Sequence, residues 1–362
     1  MKICFFGPAN NYHIQKWCRW FCDRGHEVHV ISFRSYQIDG CIVHYIPIFS
    51  NAESSDINKL SMFLKAREVR RVVRTIDPDI INVHYASSYG AVAAFSGIKP
   101  YVLSVWGADI YDFPKKSFLH KIILQYSLNN ANWLFSTSKA MSKEGNKYTR
   151  KQFEITPFGV DMNLFNPSLR ENNNEKFVIG TVKGLSDKYG IDYLLKAVRL
   201  FREEHPEINL ELRIAGKGPK EQEYKQMAYE LGIADITIWL GFISQERVAM
   251  EWANMDIGVI YSTLDSESFG VSAVECNACG TPAIIADIPG LMEATSPGNS
   301  CIVVPRCNEV LLARAIDELY ESNVDREQMG IRGRFFAMNN YEINSCFEKI
   351  ENLFINYIKG GS

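Results

Sequence analysis

Two series of apolar, β-rich runs, separated by amphipathic helical stretches, set the strongest limit on how this chain can fold. The first series contains KICFFG, HEVHVISF, DIINVHYA and YVLSVWG, and the second contains KFVIGTV, INLELRIAG, ITIWLG, IGVIY, TPAIIAD and CIVVP. Strands that alternate with helices pair as a parallel sheet. The pattern therefore predicts two doubly wound α/β domains.

The break between the two series is a Pro- and Asn-rich segment, residues 157–174, which includes GVDMNLFNP and the first five residues of RENNNEK. Residues of this kind form turns and mark domain junctions. We therefore expect an N-terminal Rossmann-like domain at residues 1–165 and a second at residues 166–340, facing each other across a cleft. A last helix within residues 341–362 is a candidate to pack back across the junction.

Composition and cysteine usage indicate a soluble protein in a reducing compartment. The chain is 46% hydrophobic and 22% charged, and no apolar run approaches the roughly 18 to 20 residues that cross a bilayer. The start, MKICFFGPANN, lacks the pattern of a signal peptide, so we expect a cytoplasmic location. Nine cysteines, among them Cys4, Cys41, Cys301 and the Cys276/Cys279 pair, predict reduced, buried thiols and neither disulfides nor zinc.

Charge is distributed unevenly along the chain. Residues 1–167 carry a net charge of +7 and residues 168–362 one of −10, which together give the overall −3. A basic first half favours an anionic partner, either phosphate or a membrane surface. Nucleic acid is not expected, because neither half has interleaved basic and aromatic residues or a known binding motif.

Two basic stretches could contact a membrane. KLSMFLKAREVRRVVR, residues 59–74, has the composition of a basic amphipathic helix, and Lys115, Lys116 and Lys121 surround Phe118. The first stretch is equally compatible with an ordinary core helix that has a solvated basic face. We therefore keep both interpretations, with peripheral attachment to the inner membrane leaflet as the functional one.

The strongest chemical signal is ESFGVSAVE, in which Glu267 and Glu275 enclose a turn between a strand and a helix. Gly270 lets the backbone approach a ligand, and the amides of Phe269, Gly270 and Val271 open a helix whose positive end suits a phosphate or sugar oxygen. The two carboxylates could accept hydrogen bonds from sugar hydroxyls. The alternative is that both glutamates are ordinary helix charges, but the apolar flanks of Glu275 argue against it.

Two further loops follow predicted strands, where open parallel sheets bind their ligands. Lys183 and Lys188 in VKGLSDKYGID could clamp a diphosphate and neutralise its charge as it leaves. Gly216 in IAGKGP could line a nucleotide pocket. Each signal is weak alone, because surface lysines and glycine turns are common.

Together these segments resemble glycosyltransferase family 4, retaining enzymes of the GT-B fold. The resemblance covers nearly the whole chain, in the order FFGPAN, VWGADI, FGVDMNLFNP, VKGLSDKYGID, IAGKGP, WLGFIS, SESFGVSAVE and CNACGTPAII. It implies a nucleotide diphosphate sugar donor bound by the second domain and a glycan or lipid-linked acceptor received by the first. UDP is the commonest donor nucleotide in the family, and cell-surface polysaccharide biosynthesis is the expected setting.

The resemblance also implies roles in donor binding. Glu275 would bind the ribose hydroxyls, and Glu267 would contact the donor sugar near the transferred carbon. Lys183 and Lys188 would hold the diphosphate, with Lys183 in place of the usual Arg.

Three other positions take binding roles from the same resemblance. The backbone at Phe242 and Ile243 would recognise the base. Gly7 would approach the phosphate or the acceptor.

One segment departs from the family pattern. Many members carry His-Gly-x-Asp where this chain has Trp106-Gly107-Ala108-Asp109. Tryptophan can stack on a sugar but cannot act as a base, so the donor-sugar contact changes here. Asp109 is retained among the catalytic candidates, and His84, which follows a predicted strand, is a second candidate for binding.

Neither a metal nor a cofactor is expected, since the nucleotide sugar is a substrate. Asp77-Pro78-Asp79 looks like the metal-binding Asp-x-Asp of other glycosyltransferases, but it precedes a strand and contains a turn-forming proline. Two other functions stay open: a nucleotide-sugar epimerase, and a catalytically inactive sugar-nucleotide-binding partner suggested by Trp106. The paired glutamates and the two lysines favour transfer over both.

Overall fold

The computed structural model describes residues 1–48, 61–171 and 176–360. It divides into two compact units, one formed by Met1–Phe158 with Asn344–Ser362 and the other by Gly159–Ile343.

The first unit contains a sheet that is parallel throughout, with the strand order β3-β2-β1-β4-β5-β6-β7 among the described residues. Its strands are β1 (Lys2–Phe6), β2 (Glu27–Ser32), β3 (Ile42–Tyr45), β4 (Ile80–His84), β5 (Val102–Val105), β6 (Trp133–Ser136) and β7 (Phe153–Ile155). Along the part of this unit that the structure describes, the helices before the C-terminal one are α1 (Tyr12–Asp23), α2 (Ala66–Ile76), α3 (Tyr89–Ser96), α4 (Ala108–Tyr111), α5 (Phe118–Asn130) and α6 (Lys139–Gly145).

The second unit repeats the plan with the strand order β10-β9-β8-β11-β12-β13, again parallel. Its strands are β8 (Phe177–Val182), β9 (Leu210–Ala215), β10 (Thr237–Gly241), β11 (Ile257–Ile260), β12 (Ala283–Ala286) and β13 (Cys301–Val304). Its helices are α7 (Ile191–Glu204), α8 (Glu221–Glu230), α9 (Gln245–Ala253), α10 (Val271–Ala278), α11 (Pro289–Ala294), α12 (Glu309–Glu321) and α13 (Asn323–Tyr341).

The last helix, α14 (Ile343–Gly360), packs with the first unit. Its aromatic side chains contact those of α1 and β6: Phe354 lies 5.7 Å from Phe21 between ring centroids, and Tyr357 stacks on Trp133 at 4.1 Å. This helix packs on the first sheet at β6 and beside α1. Both faces of a parallel sheet must be covered because its strands are apolar on both sides.

Helix α2 uses its apolar stripe inside the first unit. Val69, Val73 and Ile76 are buried in the core beside the sheet, whereas Arg67 and Arg71 are exposed. The helix is therefore a core helix with a solvated basic face, and its buried stripe is not available to a membrane. Lys59 and Leu60 of the predicted amphipathic stretch lie outside the described residues.

The Asp77–Asp79 segment forms the turn between α2 and β4. Asp77 ends α2 with a left-handed φ of 49°, and a carboxylate oxygen of Asp79 accepts a hydrogen bond from the N–H of Lys2 at 2.7 Å. Asp79 thus anchors the start of β1 against the start of β4.

Candidate functional site

Each sheet reverses its strand order at one point, and open α/β sheets bind ligands beyond the carboxyl ends of the strands at this point. In the second unit the reversal lies between β8 and β11. Lys183 directly follows β8, and Glu267 lies in the loop after β11. The fold therefore brings the loops that carry these two candidates to the same end of the sheet.

Lys183 and Glu267 form a buried ion pair. The Lys183 Nζ lies 3.1 Å from Glu267 Oε1, and the side chains are only 7% and 10% exposed. The Ser262 hydroxyl donates to Glu267 Oε2 at 3.3 Å. Burial by itself would raise the pKa of Glu267, but Lys183, Lys188 and the hydrogen bonds outweigh it and hold that pKa below its ordinary value. The site therefore contains a charged carboxylate.

Lys188 also reaches the loop that carries Glu267. Its Nζ donates a hydrogen bond to the carbonyl of Ser266 at 3.0 Å, next to Glu267 in the chain. The Nζ atoms of Lys183 and Lys188 lie 5.1 and 5.3 Å from the centroid of the Tyr189 ring. Cation–π attraction at such distances helps to hold both ammonium groups. Two cations are thus gathered around one carboxylate.

The start of α10 adds backbone N–H groups near this pair. Gly270 caps the helix with a left-handed φ of 79°, and a Cβ at this position would collide with Leu291. Phe269 is buried, with its ring 5.1 Å from that of Tyr341. Val271 begins the helix, and Glu275, one turn further, is buried. The buried position of Glu275 disfavours an ordinary solvated helix charge.

The loops after β8, β9 and β10 are held together through their backbones. Gly216 has a φ of 138° and donates its N–H to the carbonyl of Gly241 at 2.7 Å. A Cβ on Gly216 would collide with the carbonyl oxygen of Lys183. Beyond Gly241, Phe242 is 81% exposed and Ile243 is half-buried. The base-recognition segment inferred from the resemblance therefore directly follows Gly241, which accepts a hydrogen bond from the loop that contacts Lys183.

We expect Gly216→Ala to lower the free energy of unfolding by roughly 2 to 4 kcal/mol, because it adds both backbone strain and a steric clash. Gly232→Ala is the matched control, since Gly232 has a φ of 69° but nothing within 4 Å of a Cβ. The control should cost only about 1 to 2 kcal/mol. Urea unfolding of both variants measures the difference, and equal losses would show that the contact with Lys183 is not tight.

In the first unit the strand order reverses between β1 and β4, and Gly7 and His84 stand at the ends of these strands. A Cβ on Gly7 would lie 3.3 Å from the Cβ of His84, so the two loops are in close contact. The Trp106 ring lies 5.3 Å from His84 and 5.7 Å from Phe158, with steep angles between the rings. The sequence candidates Gly7, His84 and Trp106 are thus close to one another.

Asp109 lies under this cluster and is fully buried. Its carboxylate accepts hydrogen bonds from three backbone N–H groups, those of Ala86 (2.8 Å), Trp106 (3.1 Å) and Gly107 (2.8 Å). These bonds tie the loop after β4 to the loop after β5. The geometry favours a positioning role for Asp109 over the catalytic role that the sequence suggested.

Sequence reasoning missed several residues of these sites. Ser262 and Tyr189 support the lysine–glutamate pair, and His13 stacks on Phe158 with ring centroids 4.0 Å apart. For His13, the only signal in the sequence was its position shortly after the Gly7 loop. Serine and tyrosine carry no signal that separates such a supporting position from an ordinary surface one.

Comparison with known proteins decides the family. A family profile described as "Glycosyl transferase 4-like" matches residues 2–138, and one described as "Glycosyl transferases group 1" matches residues 166–335. The chain belongs to the GT4-type glycosyltransferases. The two profiles correspond to the two units, and together they cover every strand named above except β7.

Individual relatives share only modest sequence identity with this glycosyltransferase. It is 30% identical over 188 residues to a D-inositol 3-phosphate glycosyltransferase of Paenarthrobacter aurescens, which covers 49% of this chain and 46% of the relative. The chain spans about half the length of the curated relatives that it matches.

Two solved structures share the GT-B fold of this glycosyltransferase. Sucrose-phosphate synthase of Thermosynechococcus elongatus has a TM-score of 0.84 at 15% identity, with 99% of this chain and 100% of the other covered. Anabaena HepE in complex with UDP has a TM-score of 0.82 at 18% identity, with 98% and 100% covered. At these identities the likeness shows the fold alone.

Within the described residues of the glycosyltransferase, no helix has the length and hydropathy needed to cross a bilayer. The described residues contain one group of three potential metal ligands, Glu204, His205 and Asp317, and none of the site candidates belongs to it. Cys276 and Cys279 are buried, and their thiols donate to the carbonyls of Thr281 and Ala249.

His84 gives the glycosyltransferase a measurable acid sensitivity. Burial lowers its pKa to about 3, and neither ring nitrogen has a hydrogen-bond partner in the described part of the chain. Below the ordinary value of 6.5 the unfolded chain therefore binds one proton that the folded chain does not, and stability falls as the pH falls towards 3.

We expect His84→Leu to reduce this pH dependence. Between pH 6 and pH 4.5 the free energy of unfolding of the wild type should fall with a slope about 1.4 kcal/mol per pH unit steeper than that of the variant. Urea unfolding at four pH values in this window measures both slopes. Parallel slopes would mean that His84 is protonated in the folded state.

Proposed function

We propose that this glycosyltransferase transfers a sugar from a nucleoside diphosphate sugar, preferably a UDP-sugar, to a glycan or lipid-linked acceptor, as in the assembly of cell-surface polysaccharides. The observation that carries the proposal is the buried Lys183–Glu267 pair, with Lys188 against the same Tyr189 ring. A departing diphosphate gains negative charge, and preorganised cations in a site shielded from water stabilise that charge strongly. Lys183 and Lys188 can supply this charge without a metal.

In the proposed reaction the configuration at the transferred carbon is retained. The bond from this carbon to the diphosphate oxygen breaks while the acceptor oxygen bonds to the same face. The acceptor proton passes to the departing phosphate oxygen, so no base from the protein is required. NMR analysis of the product anomer tests this route, and an inverted product would contradict it.

The buried glutamates have separate parts in this proposal. Glu267 holds Lys183 in place and lies beside the transferred carbon, where it acts mainly in the transition state. Glu275, buried on α10, binds the ribose hydroxyls. Backbone N–H groups at the start of α10 face the diphosphate or a sugar oxygen.

A thermal-shift screen against UDP-, GDP- and ADP-sugars tests donor binding directly. A ligand at 100 times its Kd stabilises the folded state by about 2.7 kcal/mol. We expect a UDP-sugar to raise Tm and slow donor hydrolysis to be measurable without acceptor. Rapid epimerisation of the donor would favour an epimerase, and binding without hydrolysis or transfer would favour the inactive partner.

We also propose that the first unit rests on an anionic membrane through α5. Phe118, Leu119, Ile122 and Tyr126 are exposed on this helix, and Phe95 of the neighbouring α3 is exposed as well. Exposed Lys115, Lys116 and Lys121 lie at the same end of α5 as Phe118. Apolar side chains that can enter the lipid, bordered by cations, suit an interface that presents a lipid-linked acceptor.

We expect salt-sensitive co-sedimentation with vesicles that contain anionic lipid, because each Lys or Arg near such a surface adds about 1 kcal/mol. Phe118→Ser combined with Ile122→Ser should reduce binding at least several-fold, since both side chains would enter the lipid. Phe335→Ser is the matched control, because Phe335 is 70% exposed but belongs to the second unit. Equal binding to neutral and anionic vesicles, or an equal loss in the control, would contradict the proposal.

A further inference from the structure

Three cysteines of the first unit lie together outside both sites described above. Cys18 and Cys22 are one turn apart on α1, and Cys41 lies in the connection just before β3. The Sγ atoms of Cys22 and Cys41 are 3.2 Å apart. The sequence predicted reduced, buried thiols, but of these three only Cys18 is buried, and Cys22 and Cys41 are half-buried.

The surroundings distinguish Cys41 from its neighbours. Hydrogen bonds from Cys18 and Cys22 and the nearby Arg19 guanidinium stabilise its thiolate and outweigh burial and the Asp23 carboxylate, so that the pKa of Cys41 falls to about 7. Burial and the bond to Cys41 raise the pKa of Cys22 to about 12. Cys41 is therefore the sulfur that ionises first, and the thiolate is the nucleophilic form of cysteine.

Both cysteines of the pair are partly exposed to solvent, and Cys22 lines an open pocket. Arg19, Cys22, Asp23, His26, Asp39 and Gly40 line an open pocket at this point of the surface. The Cys22 Sγ also lies 3.3 Å from the carbonyl oxygen of Gly40, the residue before Cys41. A disulfide needs an S–S distance of about 2.05 Å, so the two sulfurs must approach by only roughly 1 Å.

We propose that Cys22 and Cys41 form a redox-active pair that a hydroperoxide oxidises to a disulfide, with Cys41 attacking and Cys22 resolving. The Cys41 thiolate attacks a peroxide oxygen, the O–O bond breaks, and Cys41 becomes a sulfenic acid while the other oxygen leaves and is protonated. The Cys22 sulfur then attacks the sulfenic sulfur. The S–S bond forms, the S–O bond breaks, and the hydroxyl leaves as water with the Cys22 proton.

Overall, two thiols lose two electrons to one peroxide, and with hydrogen peroxide two molecules of water are formed. A dithiol reductant reverses the reaction. Cys18 takes no part in the bond and stabilises the Cys41 thiolate by its hydrogen bond. The closed disulfide would tie the end of α1 to the connection between β2 and β3.

Peptide mapping of the full chain tests the pairing. Arg19 lies between Cys18 and Cys22, so trypsin separates them into WCR and WFCDR, while Cys41 lies in the peptide of residues 35–59. After treatment of the reduced protein with one equivalent of hydrogen peroxide, we expect a dithiothreitol-sensitive link between WFCDR and the peptide of residues 35–59. A link between WCR and the peptide of residues 35–59 would overturn the proposal. So would the absence of any link to that peptide in a sample whose exposed Cys307 has already been oxidised.

Substitution and labelling rates test the roles. In Cys22→Ser the sulfenic acid should persist on Cys41 and be trapped by dimedone, whereas in Cys41→Ser neither the adduct nor the link should form. At pH 7 a thiol with a pKa of about 7 has roughly 15 times more thiolate than one with the ordinary pKa of about 8.5, and its lower intrinsic nucleophilicity reduces this to about a threefold faster alkylation. Iodoacetamide should therefore label Cys41 faster than the exposed Cys307, and the reverse order would contradict the assignment of Cys41.

Discussion

Lys188→Ala is expected to lower sugar transfer by roughly 100-fold or more, a loss of about 2.7 kcal/mol of transition-state stabilisation. The Lys188 Nζ bonds to the carbonyl of Ser266 and lies against Tyr189, so its charge is fixed beside Glu267. With the side chain truncated, one cation fewer stabilises the departing diphosphate. Initial-rate kinetics at saturating donor measure the effect.

Lys196→Ala is the matched control for this prediction. Lys196 lies on α7, where its ammonium group is 3.9 Å from Asp192, and it belongs to neither site. Its removal should leave turnover within about twofold, since isolated surface ion pairs contribute little. Near-normal turnover in Lys188→Ala, with an unchanged circular dichroism spectrum, would remove Lys188 from the site.

Glu267→Gln should lower kcat by roughly 100-fold and change the donor KM much less, because the residue acts mainly in the transition state. The amide can still accept the hydrogen bond from Ser262, but it no longer offsets the buried charge of Lys183. Lys183 would then be displaced or unpaired, and breaking one side of a buried ion pair is costly.

The comparison for this variant is Glu246→Gln, the same change at an exposed glutamate in the first turn of α9. It should alter neither kcat nor KM. If Glu267→Gln raises only the donor KM while kcat stays unchanged, Glu267 is a simple binding residue and the assigned role is wrong.

The sequence predicted the two parallel sheets because alternating apolar runs and helices are a local signal. The family profiles and the structural likenesses confirm the GT-B fold and the family. The strand ends were predictable for the same reason, so Lys183, Lys188 and Glu267 could be named as candidates. Their pairing could not be predicted, because it depends on which strands are neighbours at the point where the strand order reverses.

Other features depend on the direction in which a side chain points. Periodicity identified a basic amphipathic helix at α2 but not that Val69 and Val73 would face the core. Asp109 matched a family motif, yet its three backbone hydrogen bonds depend on how two loops meet. The contact between Cys41 and Cys22 could not be predicted either, because the two residues are 19 positions apart in the chain and meet only in the fold.

The central claim, that the second unit binds a nucleoside diphosphate donor at the Lys183–Glu267 pair and α10, is tested most directly by calorimetric titration of UDP, GDP and ADP. We use the wild type and Glu275→Ala. The account predicts that UDP binds the wild type and binds Glu275→Ala at least tenfold more weakly, a loss of about 1.4 kcal/mol or more, while thermal unfolding of the free proteins is similar. Binding of equal strength in both proteins, or no binding of any of the three nucleotides to the wild type, would contradict it.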